Sequence, residues 1–121
     1  MAKILIIDDS SFQRNNICKV VDSLGHVTTQ AKDGAQGMDI LESENFDYIF
    51  CDLHMPVLDG FSFLQSIRDK AINIPVIVLT ADKQLTTYEK VIELGAIGVI
   101  NKPPKKEDII DIINSCSRQE S

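Results

Sequence analysis

Several residue types that point to particular protein classes are rare or absent in this chain. It contains no tryptophan, 2 histidines, and 12 lysines and arginines against 18 aspartates and glutamates. Two histidines are too few for a typical zinc site. The net charge of −6 argues against a nucleic-acid-binding surface, which needs clustered lysine and arginine. The acidic balance suits cationic partners or a metal ion instead.

Cysteine is also scarce, and no segment carries a membrane or export signal. Cys18, Cys51 and Cys116 are widely spaced and form no CxxC pair, so we interpret them as reduced thiols. The apolar runs are too short to span a bilayer. No charged start is followed by an apolar stretch and a cleavage site, so we expect no signal peptide. These observations predict a cytoplasmic protein that does not bind membranes.

The length and composition are those of a small globular domain. The chain has 121 residues and a hydrophobic fraction of 44%, which is enough to form a core. We therefore expect residues 1–121 to form a single domain. Residues 117–121 are short and polar, and we expect no output domain there.

Five short apolar segments alternate with segments of helical spacing. The predicted strands are residues 3–7, 26–30, 48–51, 76–79 and 97–100. The second is more polar than the others, which is typical of an edge strand. Five successive strand–helix units predict an α/β fold with a parallel sheet covered by helices on both faces.

Polar residues interrupt the apolar pattern at four of the five strand ends. They are Asp8-Asp9, Asp52, Thr80 and Lys102. The carboxyl ends of parallel strands share one edge, where open α/β sheets place their sites. Three carboxylates at that edge repel one another, and each resists ionisation. The arrangement therefore implies a bound divalent cation together with the Lys102 ammonium.

Mg²⁺ fits this set because it binds carboxylates, waters and phosphate oxygens, and the chain offers no softer ligands here. A carboxylate can also attack phosphorus and form an aspartyl-phosphate. Asp52, alone at the middle strand end, is the best candidate nucleophile, and Asp8 and Asp9 are better placed to hold the metal. Lys102 and the metal would neutralise the transferring oxygens, and the Thr80 hydroxyl would donate to one of them.

The motifs IIDDS, DLHMPVLDG, VLTA and NKP give the chain a specific family resemblance. Each motif alone is weak, but in this order and spacing they resemble the receiver domain of two-component response regulators, over nearly the whole chain. The resemblance implies a flavodoxin-like (βα)5 fold with a five-stranded parallel sheet of order 2-1-3-4-5. Stand-alone receivers of the chemotaxis type are similar in length.

The resemblance also implies roles for individual residues. Asp52 would accept a phosphoryl group from a phosphohistidine on a sensor histidine kinase or a phosphotransfer protein. The implied Mg²⁺ ligands are Asp8 (partly through water), Asp9, the Asp52 carboxylate and the backbone carbonyl of His54. Thr80 and Lys102 would engage the phosphoryl group, and the Lys102–Pro103 bond would be cis.

Helix four, strand five and helix five would form the face that binds a downstream protein after phosphorylation. The family usually has Tyr or Phe in strand five, three residues before the lysine, but Val99 stands there in this chain. Valine has little reach, so transmission by an aromatic rotamer is in doubt. We hypothesise that Tyr88 is part of the partner face, which requires it to be exposed.

Three other functions compete with this interpretation. A pseudo-receiver that acts without phosphorylation is favoured weakly by Val99. A phosphatase of the haloacid-dehalogenase type would need a DxD pattern after strand one, where this chain has adjacent Asp8-Asp9. A flavin-binding electron carrier would need a Ser/Thr-rich phosphate loop at the same place. We expect no enzymatic activity beyond self-phosphorylation and autodephosphorylation.

Overall fold

A computed structural model describes the backbone of residues 1–120 and the side chains of residues 1–115. The strands are β1 Lys3–Ile7, β2 Val27–Ala31, β3 Tyr48–Asp52, β4 Val76–Thr80 and β5 Gly98–Asn101. The helices are α1 Ser11–Ser23, α2 Gly34–Ser43, α3 Gly60–Asp69, α4 Leu85–Glu93 and α5 Lys106–Glu120. The side chain of Cys116, predicted to be a reduced thiol, lies outside the described residues.

The strands form one parallel sheet in the order β2-β1-β3-β4-β5. This is the flavodoxin-like topology that the family resemblance implies, and β2 lies at an edge as its polar sequence predicts. In register, Ile7 pairs with both Ala31 and Cys51, and Asp52 pairs with Leu79. The carboxyl ends of β1, β3 and β4 therefore lie side by side.

Four of the five predicted strands differ from the structure by one residue. β3 and β4 each run one residue further than predicted, to Asp52 and Thr80, and the other two are shifted. β2 is Val27–Ala31 rather than 26–30, and β5 is Gly98–Asn101 rather than 97–100. In β2 the ladder with β1 continues to Ala31, whose carbonyl accepts a hydrogen bond from the Asp8 N–H. The partner strand, and not the apolar pattern alone, therefore sets where each strand ends.

Two hydrophobic clusters cover the two faces of the sheet. One contains Leu5, Ile7, Cys51 and Phe63, and the other contains Ile4, Ile6 and Phe50. All five residues of β3 and of β4 are buried, which is expected of strands covered on both faces. Packing on both faces restrains the strand ends, so the polar side chains there have little freedom to move apart.

Three of the helices begin at polar caps next to this edge. Ser10 caps α1, Asp33 caps α2 and Asp59 caps α3, each by accepting a hydrogen bond from a backbone N–H three residues later. A Cβ at Gly60 would lie 2.7 Å from Leu53 Cα, so glycine is required where α3 meets the end of β3. Among the described residues, no helix is long and apolar enough to cross a membrane.

Candidate functional site

Three carboxylates meet at the carboxyl edge of the sheet. Asp8 follows β1, Asp9 comes next, and Asp52 is the last residue of β3, which is the neighbour of β1. One oxygen from each carboxylate lies within 4.8 Å of the other two. Asp8 is fully buried and Asp52 is 4% exposed, whereas Asp9 is exposed. The sequence prediction that these side chains lie together is therefore reflected in the fold.

Lys102, which follows β5, reaches across to the two buried carboxylates. Its Nζ lies 2.9 Å from Asp8 Oδ2 and 3.1 Å from Asp52 Oδ1. Asp8 Oδ2 is thus paired with the Lys102 ammonium at hydrogen-bonding distance. The Lys102–Pro103 peptide bond is cis, as the family resemblance implies. One ammonium thus faces two carboxylates and leaves the cluster with net negative charge.

The surroundings raise the pKa values of both Asp52 and Lys102. Burial, followed by the negative charge of Asp8, raises the pKa of Asp52 from 3.8 to about 6, although Lys102 opposes the shift. Burial also acts to lower the pKa of Lys102, but the two carboxylates outweigh it and raise that pKa above its usual value. The lysine therefore stays charged, while Asp52 without a metal keeps its proton to a higher pH than an ordinary aspartate does.

The chemistry of the donor set fits Mg²⁺. All available side-chain ligands at this point are carboxylate oxygens, which are hard donors. The excess of carboxylates over ammonium calls for a further cation. The Asp cluster could therefore hold a divalent metal ion.

The turn that carries Asp8 and Asp9 is held by several hydrogen bonds. The Asp8 Oδ1 accepts from the Ser10 N–H at 3.0 Å, and the Asp8 carbonyl accepts from Arg14 Nη1 at 2.6 Å. Ser10 caps the helix, so neither aspartate is its N-cap. Arg14 carries no functional signal in the sequence, because an arginine in the first turns of a helix usually has a solvated side chain.

Thr80 lies at the end of β4, buried, and adjoins the loop that leads to α4. Its Oγ1 accepts a hydrogen bond from the Asp82 N–H at 3.0 Å. Asp82 in turn accepts from the Gln84 N–H at 2.9 Å and from the Thr87 hydroxyl at 2.7 Å, and these bonds lower its pKa. Hydrogen bonds therefore connect Thr80 to α4 through Asp82 and Thr87.

His54 lies two residues after Asp52 and is exposed. Its backbone N–H hydrogen-bonds to the Asp52 carboxylate, which lowers the pKa of Asp52 slightly against the larger effect of burial. The predicted role of the His54 carbonyl as a metal ligand remains a prediction.

Next to Thr80 the structure contains a cavity of about 270 Å³. Thr80, Thr87, Tyr88, Val91 and Val99 are among the residues that line it. Val99 is in β5 opposite Val78, at the position where the family usually has an aromatic residue. Tyr88 is 49% exposed, as its hypothesised place on a partner face requires.

Comparison with known proteins identifies the family. A family profile described as the response regulator receiver domain matches residues 4–114. The chain belongs to this family. Receiver domains are modules of two-component signalling, and the cluster at the sheet edge occupies the place where the sequence motifs of this receiver converge.

Several relatives match this receiver over most of its length, although it spans only part of some of them. The chemotaxis protein CheY of Halobacterium salinarum is 28% identical over 115 residues, which cover 94% of this receiver and 96% of that protein. The transcriptional regulatory protein CiaR of Streptococcus pneumoniae is 34% identical over 90% of this receiver and 48% of that protein. The sensor histidine kinase RcsC of Escherichia coli is 30% identical over 83% of this receiver, which spans only 10% of RcsC. Receiver domains thus occur both alone and inside longer proteins among these relatives.

Solved structures agree with the fold. The receiver domain of the Francisella response regulator 1452 has a TM-score of 0.94, with 29% identity and complete coverage of both chains. The chemotaxis protein CheY4 of Vibrio cholerae has a TM-score of 0.89 and 27% identity, over 96% of this receiver and 98% of that chain.

Proposed function

We propose that this receiver domain accepts a phosphoryl group on Asp52 and signals by phosphorylation-dependent contact with another protein. The observation that carries the proposal is the position of Asp52, 3.1 Å from the Lys102 ammonium and within the cluster of three carboxylates. We also propose that residues 1–121 act as a single receiver domain, without catalysis on other substrates.

Accessibility and charge favour Asp52 over the other two aspartates as the acceptor. Asp8 is fully buried, so a phosphodonor cannot reach its oxygens. Asp9 is exposed, but the ion pairs of Lys102 are with Asp8 and Asp52. Asp52 combines a small accessible fraction with the adjacent ammonium that phosphoryl transfer needs.

We propose Mg²⁺ as the cofactor, held by Asp8, Asp9, the Asp52 carboxylate and the backbone carbonyl of His54. When bound, it would neutralise charge on the phosphoryl oxygens. In the transfer, a carboxylate oxygen of Asp52 attacks phosphorus, the bond from phosphorus to the donor breaks, and the donor atom keeps the electron pair. Lys102 offsets the charge of the transferred group, and the Thr80 hydroxyl donates a hydrogen bond to it.

The phosphodonor is proposed to be a phosphohistidine on a sensor histidine kinase or phosphotransfer protein in the cytoplasm. The downstream partner is proposed to bind the face formed by α4, β5 and α5, where Tyr88 and Leu85 are exposed. The chain of hydrogen bonds from Thr80 through Asp82 to Thr87 offers a route to α4 that needs no aromatic residue at position 99.

The test is phosphorylation of the full chain by acetyl phosphate, read by intact mass. A phosphoryl adduct is expected with Mg²⁺ and not in the presence of a chelator, because the cluster carries excess negative charge that repels the donor. Asp52→Asn should abolish the adduct, and Asp39→Asn, a change of an exposed carboxylate on α2, should leave it unchanged.

The absence of an adduct under all conditions would contradict the proposed function. The alternative would then be a pseudo-receiver that binds its partner without modification. An adduct that survives in Asp52→Asn would keep the phosphoacceptor function but reject Asp52 as its site.

A further inference from the structure

Arg14 on α1 contacts the acidic turn in a way that the proposed phosphoryl transfer does not use. Its Nη1 donates to the Asp8 carbonyl at 2.6 Å, and its Nε donates to Gln30 Oε1 at 3.0 Å. Gln30 Nε2 in turn donates to Asn15 Oδ1 at 3.3 Å. The arginine thus joins α1, the edge strand β2 and the end of β1 at a single point.

The contact with the Asp8 carbonyl bears directly on Asp9. The carbonyl of Asp8 and the N–H of Asp9 belong to one planar peptide unit, so fixing one fixes the orientation of the other. The other polar groups of Asp8 are fixed as well, because its N–H donates to the Ala31 carbonyl at 3.2 Å and its Oδ1 accepts from Ser10. Arg14 therefore holds the peptide from which the exposed Asp9 carboxylate projects.

The positive charge of Arg14 does not explain why this residue lies beside a proposed cation site. A positive charge beside the three carboxylates repels Mg²⁺ and weakens its binding. What the guanidinium offers is geometry, because its planar fork makes two directed hydrogen bonds at once and a lysine ammonium lacks such a fork. Arg14 can therefore strengthen metal binding only by orienting the Asp8–Asp9 turn.

We propose that Arg14 is a positioning residue that orients the Asp8–Asp9 peptide for binding of the divalent cation. This inference rests on the Mg²⁺ site proposed above and adds a residue to it. Gln30 supports Arg14 from the edge strand, so the same hydrogen bonds couple β2 to the metal site.

The test is the substitution Arg14→Lys, which keeps the charge and removes the fork. Mg²⁺ affinity is measured on the full chain from the NMR amide resonances during a titration, and stability is measured by thermal unfolding without metal. The Kd for Mg²⁺ is expected to rise about 10-fold, as is typical when a residue that orients a metal ligand is lost.

The matched control is Arg68→Lys on α3. Arg68 also donates from Nη1 to a backbone carbonyl, that of Glu93 at 3.2 Å, but far from the carboxylates in the fold. Arg68→Lys should leave the Kd for Mg²⁺ unchanged. The melting temperature of metal-free Arg14→Lys should fall no further than that of Arg68→Lys, which separates positioning from a general effect on stability.

A second variant keeps the inference testable if Arg14→Lys does not fold. Gln30→Met removes the support of Arg14 without changing the net charge, and the Kd should rise about 3-fold for the loss of one hydrogen bond. An unchanged Kd in folded Arg14→Lys, or in Gln30→Met if the first variant is unfolded, would overturn the inference. Failure of the unmodified chain to bind Mg²⁺ would instead reject the proposed metal site, and with it the premise.

Discussion

Replacing Lys102 with methionine is expected to lower the free energy of unfolding at pH 7 by about 3–5 kcal/mol, the usual cost of removing one partner of a buried ion pair. The reason is that Lys102 Nζ pairs with both Asp8 and Asp52, at 2.9 Å and 3.1 Å, and both carboxylates are buried. Without the ammonium they must either remain charged and unpaired or take up protons. Urea unfolding in metal-free buffer measures the change.

The loss of stability in Lys102→Met should depend on pH and on the charge of Asp52. At a pH below the raised pKa of Asp52, protonation of Asp52 removes its repulsion with Asp8, so Lys102→Met should then cost less. The double variant Lys102→Met with Asp52→Asn should recover part of the loss, because one of the two unpaired charges is gone.

Lys105→Met, at an exposed lysine of the same loop, should change stability by less than about 0.5 kcal/mol. An equally small change in Lys102→Met would mean that the ion pairs are not formed in solution.

Asp52→Asn is expected to have the opposite effect and stabilise the metal-free protein at pH 7. Burial, together with the charge of Asp8, raises the pKa of Asp52 from 3.8 to about 6, so the ionised carboxylate is unfavourable in the folded state. A shift of this size corresponds to about 3 kcal/mol, which is an upper value for the gain. Asparagine is close in shape to the neutral acid and carries no charge.

The sign of the pH dependence follows from the raised pKa. Between about pH 4 and pH 6 the folded protein binds a proton at Asp52 that the unfolded chain has already released, so stability of the unmodified chain falls as the pH rises through this window. The advantage of Asp52→Asn should therefore be absent below about pH 4 and complete above about pH 6. Chemical unfolding at several pH values checks this, with Asp39→Asn as the exposed control.

Mg²⁺ should reduce the advantage of Asp52→Asn. A ligand that binds only the folded state stabilises it by about 2.7 kcal/mol at 100 times its Kd, and the asparagine variant has lost one proposed ligand. An Asp52→Asn variant that is less stable than the unmodified chain at pH 7 in metal-free buffer would contradict charge crowding at this site.

Much of the fold could be predicted because its signals are local and repeated. Alternating apolar segments and helix caps indicate five strand–helix units, and the polar residues that end β1, β3 and β4 mark the edge where the site lies. Strand limits could not be predicted to the residue, since β2 ends at Ala31 through its pairing with β1. The strand order came from the resemblance, because periodicity does not say which strands are neighbours.

The candidate site could also be predicted only in part from the sequence. Asp8, Asp9, Asp52 and Lys102 stand out in sequence because charged residues interrupt apolar strands, and the structure brings them together. Arg14 gives no such signal, because its contacts with Asp8 and Gln30 depend on how α1 packs against β2. The cavity beside Val99 is also a tertiary feature, since it needs the positions of both α4 and β5.

The measurement that tests the central claim most directly is the chemical location of the phosphoryl group. The full chain is phosphorylated with acetyl phosphate and Mg²⁺ and then treated with borohydride, which reduces an acyl phosphate to an alcohol and releases phosphate. Peptide mass spectrometry then finds which aspartate has become homoserine. Reduction is expected at Asp52 alone, and only in protein that was first phosphorylated. Reduction at Asp8 or Asp9, or no reduced aspartate in protein that carries the adduct, would contradict this expectation.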